Sequence, residues 1–290
     1  MTLNSHTNNT ISISYSPNGK FLASGSTDHT IKIWNTANGQ LLRTLNGNGR
    51  TVRSVAYSPN GKHLASGNSD NTIKIWNPTN GRLLRTLNNT GGTVRSVTYS
   101  PSGEFLASGS NDNHVKVWNP ANGDLLRTLT GHDSFVISVA YSPDGEFLAS
   151  GSFDTTIKIW NPTNGKLLRT LGDHRDSVVS VAFSPNGKYL ASGSYDTTVK
   201  VWKIANWQLL RTLNGHGGLV RSIAFNPTGE YLASGSDDKT IKIWNLNNGQ
   251  LDRTLNGHGS TVRSVAFSPS GEFLASGSFD KTIKIWYNCL

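Results

Sequence analysis

Short segments in which apolar and polar residues alternate recur along the whole chain. In one copy, VRSVAY spans residues 52–57, LASGN spans 64–68, TIKIW spans 72–76 and LLRTL spans 83–87. Alternation with a period of two, bounded by turns that contain asparagine and glycine, predicts short β-strands. No stretch shows the period of a helix, so each copy predicts four antiparallel strands.

The copies follow one another with a fixed period, which seven tryptophans mark. These tryptophans stand 42 residues apart, and no linker separates the copies. Seven small sheets that pack radially bury both faces of each sheet and leave only short edges. The sequence therefore predicts an all-β fold, a seven-bladed β-propeller with four antiparallel strands per blade, as a single domain over residues 1–290. The marking residues are Trp34, Trp76, Trp118, Trp160, Trp202, Trp244 and Trp286.

The composition is consistent with a packed core. Apolar residues make up 35% of the chain, which contains eight Trp, ten Phe and eight Tyr. No apolar run approaches the roughly 20 residues of a membrane-spanning helix, and residues 1–10 are too polar for a signal peptide. The single cysteine, Cys289, forms no disulfide framework and suits a reducing compartment. We therefore expect a cytoplasmic protein with no membrane partner.

One repeated motif carries a family resemblance. Residues 148–161 read LASGSFDTTIKIWN, with Gly131 and His132 upstream, and this combination resembles a WD repeat. The resemblance extends over essentially the whole chain, with seven copies in register. In that family the residue after the tryptophan is usually aspartate, whereas five copies here have asparagine, at a surface position. The resemblance implies a propeller that acts as a platform for other proteins.

The same resemblance implies a buried hydrogen-bond network in each blade. In the fourth copy, Asp154 would orient the imidazole of His132, whose other nitrogen meets the hydroxyl of Ser150, and the serine would accept the indole N–H of Trp160. The equivalent sets are His6, Ser24, Asp28 and Trp34; His174, Ser192, Asp196 and Trp202; His216, Ser234, Asp238 and Trp244; and His258, Ser276, Asp280 and Trp286.

Copies two and three depart from this pattern. Asn48 and Thr90 stand where the other copies have histidine, while Asp70 and Asp112 are retained. With a shorter or absent partner, each aspartate would lose a buried hydrogen bond worth about 1 kcal/mol. We expect blades two and three to be the least stable.

The His, Ser and Asp residues of this network also invite a catalytic interpretation. The trio recurs in five copies, whereas catalysis needs one nucleophile in one cleft. A metal site is no better supported, because each set supplies one histidine and one carboxylate. We therefore expect no catalytic residue, no metal site and no cofactor.

The formal net charge of +9 raises nucleic acid as a class of partner. The charges are spread evenly, with an arginine on the fourth strand of six copies and a lysine on the third strand of all seven. An even distribution predicts a solvated outer wall rather than a binding groove. Nucleic-acid binding is therefore only a weaker alternative, and its affinity would collapse as salt rises.

Differences between the copies concentrate at one face of the predicted disc. The loop before the first strand and the turn between the second and third strands emerge there in every blade, and WD-repeat proteins commonly hold partner contacts at such positions. Blades six, seven, two and three place an arginine on the first strand, whereas blades four and five present aromatic and aliphatic residues. The candidate contacts are Arg53, Arg95, Phe135, Ile137, Phe153, Val179, Tyr195, Arg221, Arg263 and Phe279.

A basic arc beside an apolar sector suits a protein or peptide whose apolar anchor is flanked by acidic or phosphorylated residues. Two alternatives are open: sequence drift among duplicated copies, and packing of the aromatic side chains against neighbouring loops. On the opposite face, Trp207 replaces a turn glycine, and we expect its side chain to be exposed.

The sequence thus favours a non-catalytic scaffold that binds proteins or peptides. A second hypothesis is a sensor or regulatory segment of a larger signalling protein, since only Met1, Thr2 and Leu3 align with the strand that would complete the seventh blade. This short closing strand also predicts an edge at which a second chain could pair, which would be a route to oligomers.

Overall fold

The computed structural model describes residues 1–4, 6–46, 49–88 and 91–287. Over these residues the chain forms 28 β-strands in seven antiparallel sheets of four, which confirms the predicted seven-bladed propeller. Cys289, singled out in the sequence, lies outside the described residues. The part of the chain that the structure describes contains no helix with the length and apolar content needed to cross a bilayer.

The first two strands of each blade are the ones that contact the neighbouring blade, and the innermost strands of adjacent blades contact one another. The innermost strands are β2 (Thr10–Tyr15), β6 (Val52–Tyr57), β10 (Val94–Tyr99), β14 (Val136–Tyr141), β18 (Val178–Phe183), β22 (Val220–Phe225) and β26 (Val262–Phe267). The second strands are β3 (Phe21–Ser26), β7 (Leu64–Asn68), β11 (Leu106–Ser110), β15 (Leu148–Ser152), β19 (Tyr189–Ser194), β23 (Tyr231–Ser236) and β27 (Phe273–Ser278).

The two outer strands of each blade complete the sheet toward the outer wall. The third strands are β4 (Ile31–Asn35), β8 (Thr72–Trp76), β12 (Val115–Trp118), β16 (Ile157–Trp160), β20 (Val199–Lys203), β24 (Ile241–Asn245) and β28 (Thr282–Tyr287). The fourth strands are β5 (Leu41–Leu45), β9 (Leu83–Asn88), β13 (Leu125–Leu129), β17 (Leu167–Leu171), β21 (Gln208–Leu213), β25 (Gln250–Leu255) and β1 (Thr2–Asn4).

Neighbouring blades are joined by hydrogen bonds between their innermost strands. In each blade a backbone N–H donates to a serine Oγ of the preceding blade, at 3.0 to 3.2 Å, and the series continues round the ring. The serine satisfies a polar group that the blade interface buries. The pairs are Ile13 with Ser264, Val55 with Ser12, Val97 with Ser54, Val139 with Ser96, Val181 with Ser138, Ile223 with Ser180 and Val265 with Ser222.

Close approach of the blades explains the glycine in each second strand. A Cβ atom at Gly25 would lie 2.6 Å from Cγ1 of Val52 in the next blade. Val52 is fully buried, as are Leu22 and Ile31. The space between blades is therefore filled by branched aliphatic side chains that pack directly on the glycine backbone.

The first strand closes the ring. β1 pairs antiparallel with β28, with Leu3 opposite Ile283. The amino group of Met1 donates to the carbonyl of Ile285 at 2.8 Å, and Leu3 is 3% exposed. The closing strand is three residues long, whereas the fourth strands of the other blades have five or six.

Two expectations about exposed side chains are wrong. The third-strand lysines are not fully solvated: Lys32 and Lys200 are buried, and their Nζ atoms donate to threonines on the fourth strand. Trp207 is half-buried, because its ring packs edge-on against Phe147 with 5.2 Å between the ring centroids. In both cases the apolar part of the side chain packs against neighbouring residues, which reduces its exposure to solvent.

Replacing Trp118 by alanine should destabilise the protein far more than replacing Arg127. Trp118 is 3% exposed and packs in the interface between blades two and three, whereas Arg127 is half-buried on the fourth strand. We expect a loss of about 3 to 5 kcal/mol for Trp118→Ala and at most about 1 kcal/mol for Arg127→Ala. Urea unfolding followed by far-ultraviolet circular dichroism measures the stability of both variants without relying on tryptophan fluorescence. Equal unfolding midpoints would contradict the blade assignment.

Candidate functional site

Five blades contain a buried chain of aspartate, histidine and serine side chains at the rim of one face, and in four of them a tryptophan extends the chain. The histidine Nδ1 lies 2.6 to 2.7 Å from an aspartate Oδ2, and the Nε2 atom lies 2.6 to 2.7 Å from a serine Oγ. The structure thus brings together the residues that the family resemblance grouped. The histidine-aspartate pairs are His6 with Asp28, His132 with Asp154, His174 with Asp196, His216 with Asp238 and His258 with Asp280.

The direction of each hydrogen bond follows from which atoms can donate a hydrogen and which can only accept one. In blade four the indole of Trp160 only donates, and its Nε1 lies 2.8 Å from Oγ of Ser150. The serine hydroxyl therefore donates its own hydrogen to Nε2 of His132, and Nδ1 carries the hydrogen that Asp154 accepts. Trp34, Trp244 and Trp286 donate in the same way to Ser24, Ser234 and Ser276.

Blade five differs in one bond. The indole N–H of Trp202 donates to Oδ2 of Asp173 at 3.2 Å, so the implied bond from Trp202 to Ser192 is replaced by one to a carboxylate. Ser192 still lies 2.6 Å from Nε2 of His174. Asp173 stands where copies four, six and seven have glycine before the histidine, so the sequence already contained the residue responsible for this exception.

The aspartates anchor both the histidine and the turn. Oδ1 of Asp238 accepts the backbone N–H and the hydroxyl of Thr240, while Oδ2 faces His216. Burial acts to raise the pKa of Asp238, but the hydrogen bonds from Thr240 and His216 outweigh it and hold that pKa at about 2. The pKa of Asp280 is held at about 2 in the same way. Burial lowers the pKa of His216 and of His258.

Blades two and three use a lysine in place of the histidine. Asn48 and Thr90 lie outside the described residues. Nζ of Lys74 lies 3.1 Å from Oδ2 of Asp70, and Lys116 makes the equivalent ion pair with Asp112. Both aspartates therefore have a lysine as a partner, which the sequence analysis did not predict. The third-strand lysine reaches the carboxylate that the histidine occupies elsewhere.

A β-bulge places one residue of every innermost strand at the rim. The register between β6 and β7 shifts between Val52 and Ser54, which leaves Arg53 as the extra residue. Bulges of this kind redirect a side chain. Nε of Arg53 donates to Ser69 at 3.2 Å, and Nε of Arg95 donates to Asn111 at 2.7 Å. The bulge residue is thus bonded to the residue just before the turn aspartate.

The four bulge arginines share one electrostatic environment. Burial lowers the pKa of Arg263 to about 10, and the charges of Arg221, Arg53 and Arg95 contribute in the same direction. Nη1 of Arg263 donates to the backbone carbonyl of Arg221 at 3.3 Å. Arg221 also forms a two-pronged ion pair with Asp237, with bonds of 2.6 and 2.7 Å. Among the described residues, Arg221 alone of these four has a carboxylate partner.

Three aromatic rings form a continuous ladder beside these arginines. The ring centroids of Phe135 and Phe153 are 6.0 Å apart, and those of Phe153 and Tyr195 are 5.8 Å apart. The backbone N–H of Phe153 donates to the carbonyl of Phe135 at 3.0 Å, which holds the two positions together. Arg221 stacks over Tyr195 at 4.5 Å and donates to its hydroxyl. Phe135 remains 37% exposed.

The other candidate contacts are less accessible than the sequence suggested. Ile137 is 7% exposed and Val179 is 4% exposed, so neither presents the surface anchor that the sequence analysis expected. Both are aliphatic residues at bulge positions, and both are buried. Phe279 is half-buried in blade seven, where its backbone N–H donates to Thr261 at 3.0 Å.

Comparison with known families agrees with this architecture. Residues 11–177 match the family described as the second β-propeller of echinoderm microtubule-associated protein. Residues 165–203, 207–245 and 249–287 match the WD domain, G-beta repeat family. The chain is a WD-repeat β-propeller. No curated protein matches it significantly.

Membership of the WD-repeat family has a general functional consequence. WD-repeat propellers generally act as protein-interaction scaffolds and are typically non-catalytic. The serine of each network in this WD-repeat propeller is fully buried, and its hydroxyl is bonded to the histidine and, in four of the five blades, to the tryptophan, as in Ser150. Within the described residues, no group of three His, Cys, Asp or Glu side chains is placed to hold a metal ion.

The stability of this WD-repeat propeller should fall in two steps as the pH is lowered. The folded-state pKa of His216 and of His258 lies below the unfolded value of about 6.5, so the unfolded chain binds more protons below that pH and gains population. Asp238 and Asp280, with a pKa of about 2, add a second loss between about pH 4 and pH 2.

Thermal unfolding between pH 7.5 and 2.5 measures this dependence. The double variant His216→Gln, His258→Gln should flatten the upper step. The control is His29→Asn, because His29 is exposed and asparagine occupies the equivalent position, Asn71, in blade two. A melting temperature that stays constant from pH 7.5 to pH 5 would contradict the assignment of the histidines.

The lysine of blade three should matter more than that of blade four. Lys116→Met leaves the buried carboxylate of Asp112 without its ion-pair partner, and we expect a loss of about 3 kcal/mol. Lys158→Met removes only a hydrogen bond to Thr170 and should cost about 1 kcal/mol or less. Chemical denaturation of both variants measures the two losses of unfolding free energy. Similar losses would show that Lys116 does not take the role that histidine has in the other blades.

Proposed function

We propose that this WD-repeat propeller is a non-catalytic docking platform that binds a protein or peptide at the rim of one face. The observation that supports the proposal most directly is the ladder of Phe135, Phe153 and Tyr195, which ends on Arg221. An exposed aromatic surface next to guanidinium groups matches the composition of protein-binding hot spots. The ligand face is the one that carries the bulge residues and the turn aspartates.

The charge of the rim favours an acidic or phosphorylated ligand. Arg53 and Arg95 donate only to the neutral side chains of Ser69 and Asn111 among the described residues. Their charges are therefore uncompensated by a nearby carboxylate, and their mutual repulsion would be relieved by an anion. A peptide that places an apolar residue on Phe135 and an acidic or phosphorylated residue toward the arginines satisfies both halves of the rim.

A charge-driven association with nucleic acid makes a different prediction. Counterion release from many phosphates would make such binding fall steeply with salt, whereas a peptide held by an aromatic anchor and a few ion pairs loses much less affinity as salt rises. The salt dependence of any captured ligand therefore separates the two classes of partner.

Removing the ladder should abolish ligand capture without unfolding the protein. We expect Phe153→Ser to lower affinity by tenfold or more and to cost about 1 kcal/mol of stability, since it breaks two ring contacts on a half-buried surface. Affinity capture from lysate, followed by titration of the identified peptide, compares the wild type with Phe153→Ser and with Arg53→Ala, Arg95→Ala.

The matched control changes the outer wall and leaves the rim intact. Arg127→Ala, Arg169→Ala removes two fourth-strand charges and should leave the captured partners unchanged. A ligand retained by both rim variants would place docking elsewhere on the protein, and a large loss of stability in Phe153→Ser would show that this ring belongs to the core.

A further inference from the structure

A groove between blades one and two, on the face opposite the rim, has the properties of a second binding site. It encloses a cavity of about 490 Å³, within the range of about 300 to 1,000 Å³ that ligand sites occupy. Phe21, Ile33 and Leu42 form an apolar wall, and Tyr57 and Arg43 bring polar groups to it. The equivalent groove between blades three and four encloses only about 160 Å³.

The hydroxyl of Tyr57 lies in this wall without a hydrogen-bond partner among the described residues. Its oxygen is buried, and the residue as a whole is 9% exposed. Burial raises the pKa of Tyr57, so the phenol keeps its hydrogen and presents a donor. An unsatisfied buried donor is costly, and a ligand with an acceptor atom would satisfy it.

The equivalent groove between blades four and five is occupied by a side chain of this protein. Between blades four and five, Trp207 packs edge-on against Phe147, and Phe183 stands where Tyr57 stands in blade two. The indole thus fills the equivalent space, and the residue beneath it has no hydroxyl. In blade two the residue equivalent to Trp207 is Gly81.

The two positions have a similar backbone φ angle. Gly81 has φ of 78° and Trp207 has φ of 58°, so both lie in the left-handed region. A Cβ atom at Gly81 would face Leu45 and Arg43 on the outer strand of blade one. Blade two therefore keeps the backbone that directs a side chain to this groove but supplies no side chain to fill it.

Arginine side chains cover two other grooves and leave this one open. Arg85 donates to the carbonyls of Ala121 and Asn122 in the following blade, and Arg211 donates to that of Asn247. Arg43, at the equivalent position of blade one, is exposed, and its side chain makes no hydrogen bond or ion pair within the described residues. A guanidinium at the mouth of the groove adds a preference for a carboxylate.

From this geometry we propose that the groove between blades one and two binds a tryptophan side chain of a partner protein, presented in a turn with an acidic residue beside it. The indole takes the place that Trp207 takes between blades four and five. The acidic side chain meets Arg43, and a carbonyl of the peptide accepts the hydroxyl hydrogen of Tyr57. This site is separate from the rim and does not depend on the function proposed for the rim.

The probe is a peptide that copies residues 204–210 of this chain, IANWQLL, with glutamate in place of glutamine, acetylated and amidated at its ends. Titration by calorimetry should show one site on the wild type. A control peptide with alanine in place of tryptophan should not bind. Absence of saturable binding to the wild type would overturn the proposal.

Two reciprocal variants test the location. Gly81→Trp fills the groove from within and should weaken binding by tenfold or more, with a cooperative thermal transition as the check on folding. Trp207→Gly opens the groove between blades four and five and should raise the stoichiometry from one to two. An unchanged Kd for a folded Gly81→Trp variant would overturn the assignment.

Milder changes test the polar contacts and the rim. Tyr57→Phe should weaken binding about fivefold, as expected for one hydrogen bond, and Arg43→Ala should weaken the glutamate peptide more than its glutamine counterpart. Arg53→Ala, Arg95→Ala should leave the affinity unchanged; a loss there would place the peptide at the rim and overturn the proposal. Tighter binding of free indole-3-acetate than of the peptide would instead identify a small-molecule site.

Discussion

The contact between the innermost strands of adjacent blades is the constraint on which the rest of the structure depends. A serine hydroxyl of one blade accepts the backbone N–H of the next, as Ser12 does from Val55, and a glycine such as Gly25 lets a valine pack against its backbone. These contacts repeat round the ring, so each blade packs on the next in the same way. Equivalent residues of the rim and of the inter-blade grooves therefore occupy equivalent positions in every blade.

Each blade also needs a fixed turn, and the turn aspartate supplies it by binding with both oxygens. One oxygen accepts the backbone N–H of the residue two positions further on, which is a threonine in six blades and His114 in blade three, and the other accepts from a lysine or an imidazole N–H elsewhere in the blade. Histidine fills this role in five blades and lysine in two, as Asp154 and Asp112 show. The requirement is for a buried donor opposite the carboxylate, and two residue types from different strands meet it.

Because the frame repeats, the places where the copies differ stand out as candidates for function. At the rim, four blades carry an arginine at the bulge position, and blades four and five carry three stacked aromatic rings. On the opposite face, one groove is filled by Trp207, two are bridged by arginines, and one is open above Tyr57. Equivalent positions act as internal controls, since the same backbone carries a different side chain in each blade.

The sequence by itself determined the strands, the turns and the number of blades, because alternation and turn chemistry are local and repeat every 42 residues. The resemblance to WD repeats implied the residues of the buried network, and the differences between copies selected the candidate residues of the rim. Only the tertiary structure decided how far each side chain is covered: Ile137 and Val179 are buried, and Trp207 meets Phe147 from another blade. Burial depends on residues that are distant along the chain, and no local pattern records them.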